Sequence, residues 1–401
     1  MRRRLGYSTV DALVDWLTRR GDCFGEIALL RNVGPDRDRD VGNGRSAVLA
    51  RPGAIPRSAH GPSGRAGGSR SSGRGTLGGS DVIDPLERWR RYGEKPDYAG
   101  LLTYGGSPYT QDPALLAGFD VAIVGAPMDD LVSDRPGARF APRAIRAASC
   151  PPGPQLESKV DAFAELRIVD FGDAPVLPAD VARSHAAIEA TVGQVLDAGL
   201  IPIVLGGDHS IAEPDIRACA ARHGPVGLVH FDTHTDTGRE VFGVEISHGT
   251  PMFRLVEAGL LDPERYVQIG LRGYWPGEAE FKWQAEHGIT SFFAHDVRNL
   301  GIDEVVRRTI AHVGGGPVFL SVDVDVLDPA FAPGTGTPEP GGLTSAELLG
   351  ACRRTAHELE IVGADVVEVI PTAVGSADIT ALVADRIVRE ILTGIALRRR
   401  G

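Results

Sequence analysis

A parallel β-sheet covered by helices on both faces is the fold class this sequence predicts. Three observations carry it. Short apolar runs without polar alternation recur along the chain, helix-patterned stretches separate them, and Asp and His cluster where the apolar runs end. Strands buried on both faces read as continuous aliphatic runs, and crossover helices let neighbouring strands run parallel. In such sheets ligands gather outside the carboxyl ends of the strands.

The elements follow in chain order. Residues 1–33 contain GDCFGEIALLRN (21–32), which resembles the phosphate-binding cassette of cyclic-nucleotide-binding domains. A working module needs a whole β-roll, yet fewer than 25 residues precede the cassette, and Arg37 is the nearest candidate for the phosphate. The segment therefore reads as vestigial. Residues 34–80 are rich in Gly, Ser, Arg and Pro, a composition that cannot repay its ordering entropy, so a disordered linker is expected there. One domain is expected over 81–401. Strands are predicted at VAIVGAP (from 121), IPIVLGG (201–207), VGLVHFD (226–232), YVQIGL (266–271), PVFLSVD (317–323) and ADVVEVI (364–370). Helices are predicted at SHAAIEATVGQVLDAG, IDEVVRRTIAHV and SAELLGACRRTAHEL, and no internal repeat is found.

At 401 residues and 42% hydrophobic content the chain can bury a full core. The first 80 residues carry 14 Arg against 7 acids, a net +7, which leaves −18 of the overall −11 on the remainder. That balance argues against a nucleic-acid-binding body. Four scattered cysteines (Cys23, Cys150, Cys219, Cys352) without a CxxC pair suit a reducing compartment. No apolar stretch nears the roughly 20 residues needed to span a bilayer, so a cytoplasmic protein is expected.

Asp232, His234 and Asp236 in HFDTHTDTG, Asp323 and Asp325 in SVDVDVLDP, and His209 in GGDHS are the candidate metal ligands. So many carboxylates beside strand-like runs are costly to bury unless cations hold them. A straight strand would set Asp232 and Asp236 roughly 13 Å apart, too far for ligands about 2.0–2.2 Å from one ion. The chain must therefore curl past the strand, helped by Gly238. Asp323 and Asp325 repeat the i, i+2 spacing on a second strand, with Val322, Val324 and Val326 facing the packed side. Hard oxygen and borderline nitrogen donors without thiolate favour manganese over structural zinc. Two such ions about 3.5–4 Å apart can activate a bridging water, which points to hydrolysis of an unreactive carbon centre.

At these residues the chain resembles the ureohydrolase family of agmatinases, arginases and guanidinobutyrases. The likeness runs from about 97 to 398 and includes GAPMD, RPGARFAPRAIR, GGDHS, HFDTHTD, SHGT, SVDVDVLDPAFAPGTGTPEPGG and DVVEVIP. The resemblance implies a three-layer α/β/α sandwich and two Mn2+ ions per subunit. It implies that His209, Asp232, Asp236 and Asp323 bind one ion, and Asp232, His234, Asp323 and Asp325 the other, with Asp232 and Asp323 bridging. Glu368 would pair with the guanidinium, as a planar forked cation matches a carboxylate, and His248 would shuttle a proton to the leaving amine. Asp208 is expected to orient its neighbours rather than to ligate. Gly334 and Gly336 would form a loop that lines the site or packs as a turn. Trimers or hexamers are implied.

Arginases of this family carry Asn where this chain has Gly238, which argues against arginine as substrate. The stretch TAVGSADIT after Glu368 departs from the agmatinase pattern. In the loop 237–247, Glu240 or Glu245 would suit the ammonium of agmatine, and Arg239 the carboxylate of 4-guanidinobutanoate or 3-guanidinopropionate. The expectation is an agmatinase-like hydrolase that cleaves a linear guanidino compound, agmatine before others, to urea and an amine (putrescine), with a guanidino-acid hydrolase as the alternative. A single-zinc deacetylase and a non-catalytic metal-stabilised or nucleotide-regulated protein are the competing readings.

Overall fold

The computed structural model describes residues 82–92, 95–149, 153–371 and 378–401. The readings made for 1–33 and 34–80, for Cys23 and Cys150, and for most of TAVGSADIT lie outside them.

Among the described residues, eight strands form one sheet, every pairing parallel. They are β1 (Val121–Gly125), β2 (Ile168–Asp173), β3 (Ile201–Leu205), β4 (Val226–Phe231), β5 (Leu261–Leu271), β6 (Thr290–Phe293), β7 (Pro317–Asp323) and β8 (Glu360–Val367). Their order across the sheet is β2-β1-β3-β8-β7-β4-β5-β6. All six predicted strands are present. The two not predicted, β2 and β6, are the edges of the sheet. IVDFGD mixes acids into its run and TSFF is short, so neither shows the aliphatic signature of a strand buried on both faces.

Helices cover both faces. On one lie α1 (Ala141–Ala148), the short α2 (Ala162–Glu165), α7 (Ala294–Leu300), α8 (Ile302–Val313), α9 (Ser345–Glu358) and α10 (Ile379–Arg400), packed on Val121, Ile123, Val229, Phe231, Leu320 and Val322. On the other, α3 (Val181–Asp197), α4 (Ala212–His223) and α5 (Pro251–Glu257) pack on Ala122, Val124, Leu228 and Phe319. A final helix, α6 (Glu278–His287), precedes β6. Alternate residues of a strand point to opposite faces, so both halves of each run are buried. This is the three-layer sandwich. The predicted helices correspond to α3, α8 and α9, the last held at its start by a capping box between Thr344 and Glu347. Among the described residues, no helix is long and apolar enough to cross a membrane.

Sheet order decides where the chemistry sits. β3, β8, β7 and β4 are adjacent in the middle and all run one way, so their carboxyl ends share one rim. Consecutive strands β3 and β4 are parted by β8 and β7. That reversal opens the crevice where ligands of such sheets bind.

Candidate metal centre

Each central strand delivers one part of the cluster to the rim. After β3, Gly206 and Gly207 lead to Asp208 and His209. A Cβ on Gly207 would collide with the Met128 carbonyl oxygen, so only glycine lets the chain pass. Asp208 caps the single 3-10 turn His209–Ile211 by accepting from Ser210 N at 3.0 Å, and also accepts from Leu131 N. It orients the loop, as expected. After β4, the predicted curl is real. Asp236 adopts the left-handed region at φ 51°, sparsely used by residues with a side chain. That one residue reverses the chain so that Asp236 returns to the cluster. After β7 the expectation is corrected: the strand ends at Asp323, and Asp325 sits in a 3-10 turn, Val324–Val326. Asp323 accepts from Asp325 N at 2.8 Å, which competes with extension of the strand. Val322, Val324 and Val326 are all buried.

The cluster divides in two around Asp232. On one side His209 Nδ1 faces Asp232 Oδ2 at 3.0 Å, Asp236 Oδ2 at 2.9 Å and Asp323 Oδ2 at 3.3 Å. On the other, His234 Nδ1 lies 3.0 Å from Asp325 Oδ2 and 3.6 Å from Asp232 Oδ1. Asp232 therefore turns one oxygen to each side, and the groups His209, His230, Asp232, Asp236 and Asp232, His234, Asp325 each converge closely enough to hold an ion. His209 Nδ1 and Asp325 Oδ2 are buried without a hydrogen-bond partner. Orphaned polar atoms at that depth are expensive. Their aim into a nest of carboxylates fits a pair of divalent cations.

The electrostatics say the same. Burial and the charges of Asp325 and Asp232 push the Asp323 carboxyl well up. Burial, with Asp232 beside it, raises Asp325 to about 6. Burial disfavours charge on His234, yet Asp325 and Asp232 outweigh it and hold its proton up to about 10. Without cations the cluster must take up protons to be tolerated; with them it can be fully ionised.

Glu368 follows β8 in the left-handed region, φ 61°. Its Oε1 accepts from His209 N at 2.9 Å and faces His248 Nδ1 at 3.0 Å, while Oε2 is buried and unpartnered. The free oxygen can accept from a planar, forked cationic donor. Burial works against charge on His248, but Glu368, with Asp236 and Asp208 behind, holds its proton up to about 9. Ser133 N points at Nε2 from 3.2 Å and opposes protonation there. Gly336 lies against Glu368, where a Cβ would stand 3.2 Å from Oε2, so this glycine keeps the carboxylate clear. Gly334 is instead a packing turn, bonded to Thr380 Oγ1 and Ile370 N.

Three residues were missed in the sequence. His230 is fully buried, with Nε2 on Asp232 Oδ2 at 2.8 Å and Nδ1 on the Tyr266 hydroxyl at 3.0 Å. Both ring nitrogens are occupied, so His230 positions Asp232 rather than ligates. Ser321 Oγ joins His209 Nε2 at 2.9 Å to Asp365 Oδ1 at 2.7 Å. His230 and Ser321 stand two residues before Asp232 and Asp323 on the same strand faces, so extending the alternation upstream would have found them. Asp365 comes from a neighbouring strand, in register with Ser321. No local pattern announces it. His223, His287, His295, His312 and His357, set aside as ordinary histidines, take no part in the cluster.

Above the cluster lies a cavity of about 330 Å³ lined by metal-cluster residues together with Ser133, Glu240, Phe242, His248, Trp275 and Thr337. Glu240 is on this wall. Glu245 is not among the lining residues, and Arg239 turns away to stack on Phe253, 4.9 Å from the ring centre.

A sandwich with a buried twin cation nest at the carboxyl rim defines a class of metallohydrolase. The family model described as Arginase family matches residues 119–394, and the chain belongs to that family. It is 43% identical over 308 residues to guanidinopropionase of Pseudomonas aeruginosa, covering 76% of this chain and 94% of that one. It is 42% identical over 278 residues to the mitochondrial agmatinase of Gallus gallus, covering 69% and 81%. The structure of proclavaminate amidino hydrolase from Streptomyces clavuligerus superposes with a TM-score of 0.71 at 38% identity, covering 76% of this chain and all of that one. The protein is thus a hydrolase of guanidino compounds. Enzymes of this family depend on a binuclear metal centre, and the cluster is suited to one.

Proposed function

We propose that this protein hydrolyses agmatine to urea and putrescine with two Mn2+ ions. His209, Asp232, Asp236 and Asp323 would hold one ion, and Asp232, His234, Asp323 and Asp325 the other. When bound, the pair supplies the Lewis acidity that makes water a nucleophile at neutral pH. The buried free oxygen of Glu368 takes the guanidinium N–H groups and sets the carbon over the cluster, catalysis by positioning. His248 stands beside that carboxylate and gives the departing amine its proton as the C–N bond breaks. Water contributes its oxygen to the carbon, leaving urea and the free amine. Three or six chains would assemble in the cytoplasm.

The observation that carries agmatine over a guanidino acid is the charge of the outer wall. Glu240 lines the cavity and would attract a distal ammonium, while Arg239 is engaged on Phe253. Ser133 and Thr337 favour the second reading, a guanidino-acid hydrolase, because their hydroxyls can donate to a carboxylate. Urea release from agmatine, arginine, 4-guanidinobutanoate and 3-guanidinopropionate decides between them. Agmatine should show the highest kcat/KM, and Glu240→Gln should raise its KM. A guanidino acid in first place would replace this reading with the second.

A further inference from the structure

Trp275 follows β5 on the rim and belongs neither to the cation nest nor to the Glu368 grip. Its indole rests against two glycines. A Cβ on Gly238 would stand 3.1 Å from its Cζ2, and one on Gly249 3.2 Å from its Cη2. Gly238 N donates to Gly249 O at 3.0 Å, so the two form one floor. The ring thus fills a slot that exists because both residues lack side chains. His234 meets it edge-on, ring centres 6.2 Å apart. Trp275 as a residue remains 38% exposed and lines the cavity.

A second wall comes from the loop expected to govern specificity. Val241 and Val244 exchange backbone hydrogen bonds of 2.9 and 3.0 Å, closing a two-residue turn. Phe242 and Gly243 at its tip have φ of 53° and 76°. Such turns favour Asn and Gly, and a bulky residue there is strained. The result is a phenylalanine, 86% exposed as a residue, lining the same cavity as Trp275.

We propose that Trp275, seated in the Gly238–Gly249 slot, is a specificity-determining residue. Its indole is the wall along which an unbranched guanidino chain lies, and it occupies the space that a substrate branched at its far end, such as an α-amino acid, would need. Phe242 lines the same cavity. Methylenes laid on an apolar wall bind more tightly, and the gain is lost when the wall is removed. The inference rests on guanidine hydrolysis at this site and is independent of the charge on the tail.

The test measures kcat/KM for arginine and for whichever straight-chain guanidino compound the manganese-loaded wild type turns over best. Trp275→Ala should lower the straight-chain value by about tenfold, mostly through KM. Arginine turnover should hold or rise, so the ratio shifts toward arginine. Trp275→Phe should fall between. Metal content and melting temperature establish that each variant is folded. An active wild type whose ratio moves less than twofold in Trp275→Ala, or which loses both activities equally, overturns this inference alone. A wild type that hydrolyses no guanidino compound overturns it together with the proposed function.

Discussion

Replacing Ser321 by alanine removes one buried oxygen and cuts the link between His209 and the protein behind it. With Nδ1 turned to the cluster, Nε2 carries the proton and donates to Ser321 Oγ, which in turn donates to Asp365. The variant leaves the His209 ring nitrogen unpaired and takes one donor from Asp365, in a site closed to water, since Ser321 and Asp365 are fully buried. An unpaired buried group costs about 1–3 kcal/mol. Loss of such an outer partner typically weakens a metal site about 10–100-fold, or roughly 1.4–2.8 kcal/mol. Only the ion on the His209 side should feel it, because His234 and Asp325 have no part in this chain of bonds. Titration of stripped protein with Mn2+ against a fluorescent chelator resolves the two dissociation constants. One should weaken by about 10–100-fold and the other stay near wild type. Two unchanged constants, or two equally weakened ones, would refute the reasoning.

Glu368→Gln should lower kcat/KM by about 30-fold to several thousand-fold, the cost of removing one partner of a buried charged pair, while metal content measured by elemental analysis stays the same. Arg146→Met should destabilise the fold by about 3–5 kcal/mol in denaturant melts. It removes the cation from buried Asp170, which the guanidinium holds at 2.8 and 2.9 Å between α1 and β2, and leaves that carboxylate with the N–H groups of Tyr104 and Gly172. Manganese affinity should rise with pH between 6 and 8 by roughly tenfold per unit. Both cited ligand pKa values are raised, His234 to about 10 and Asp325 to about 6, so protons compete with the ion and are released as it binds. Titrations at three pH values giving one constant would contradict this. Thr344→Ala should cost about 1 kcal/mol in the same melts, through loss of the α9 capping box.

The central strands and the cluster were legible for one physical reason: burial on both faces leaves aliphatic runs, and costly carboxylates beside them need a partner. His209, Asp232, His234, Asp236, Asp323 and Asp325 come together as their spacing and the family resemblance implied. What stayed hidden depends on neighbours in space. The edge strands β2 and β6 lack a two-sided apolar signature. Asp365 matters only because β8 pairs with β7 in the register that brings it to Ser321. The 3-10 turn after Asp323 is set by a side chain competing for a backbone N–H, which strand alternation does not reveal. Gly238 was informative for the Asn it lacks; its packing under Trp275 became visible only in three dimensions.

Glu368 uses its two oxygens differently: one steadies the peptide that begins with His209, and the other is buried without a partner, which the proposed function gives to the substrate cation. Whatever occupies the second oxygen therefore bears on the peptide that steers the imidazole. By thermodynamic reciprocity, whatever factor metal loading applies to inhibitor grip is returned, unchanged in size and sign, as the effect of the inhibitor on metal affinity. A screen for guanidinium-shaped inhibitors should therefore rank compounds differently on stripped and on loaded enzyme.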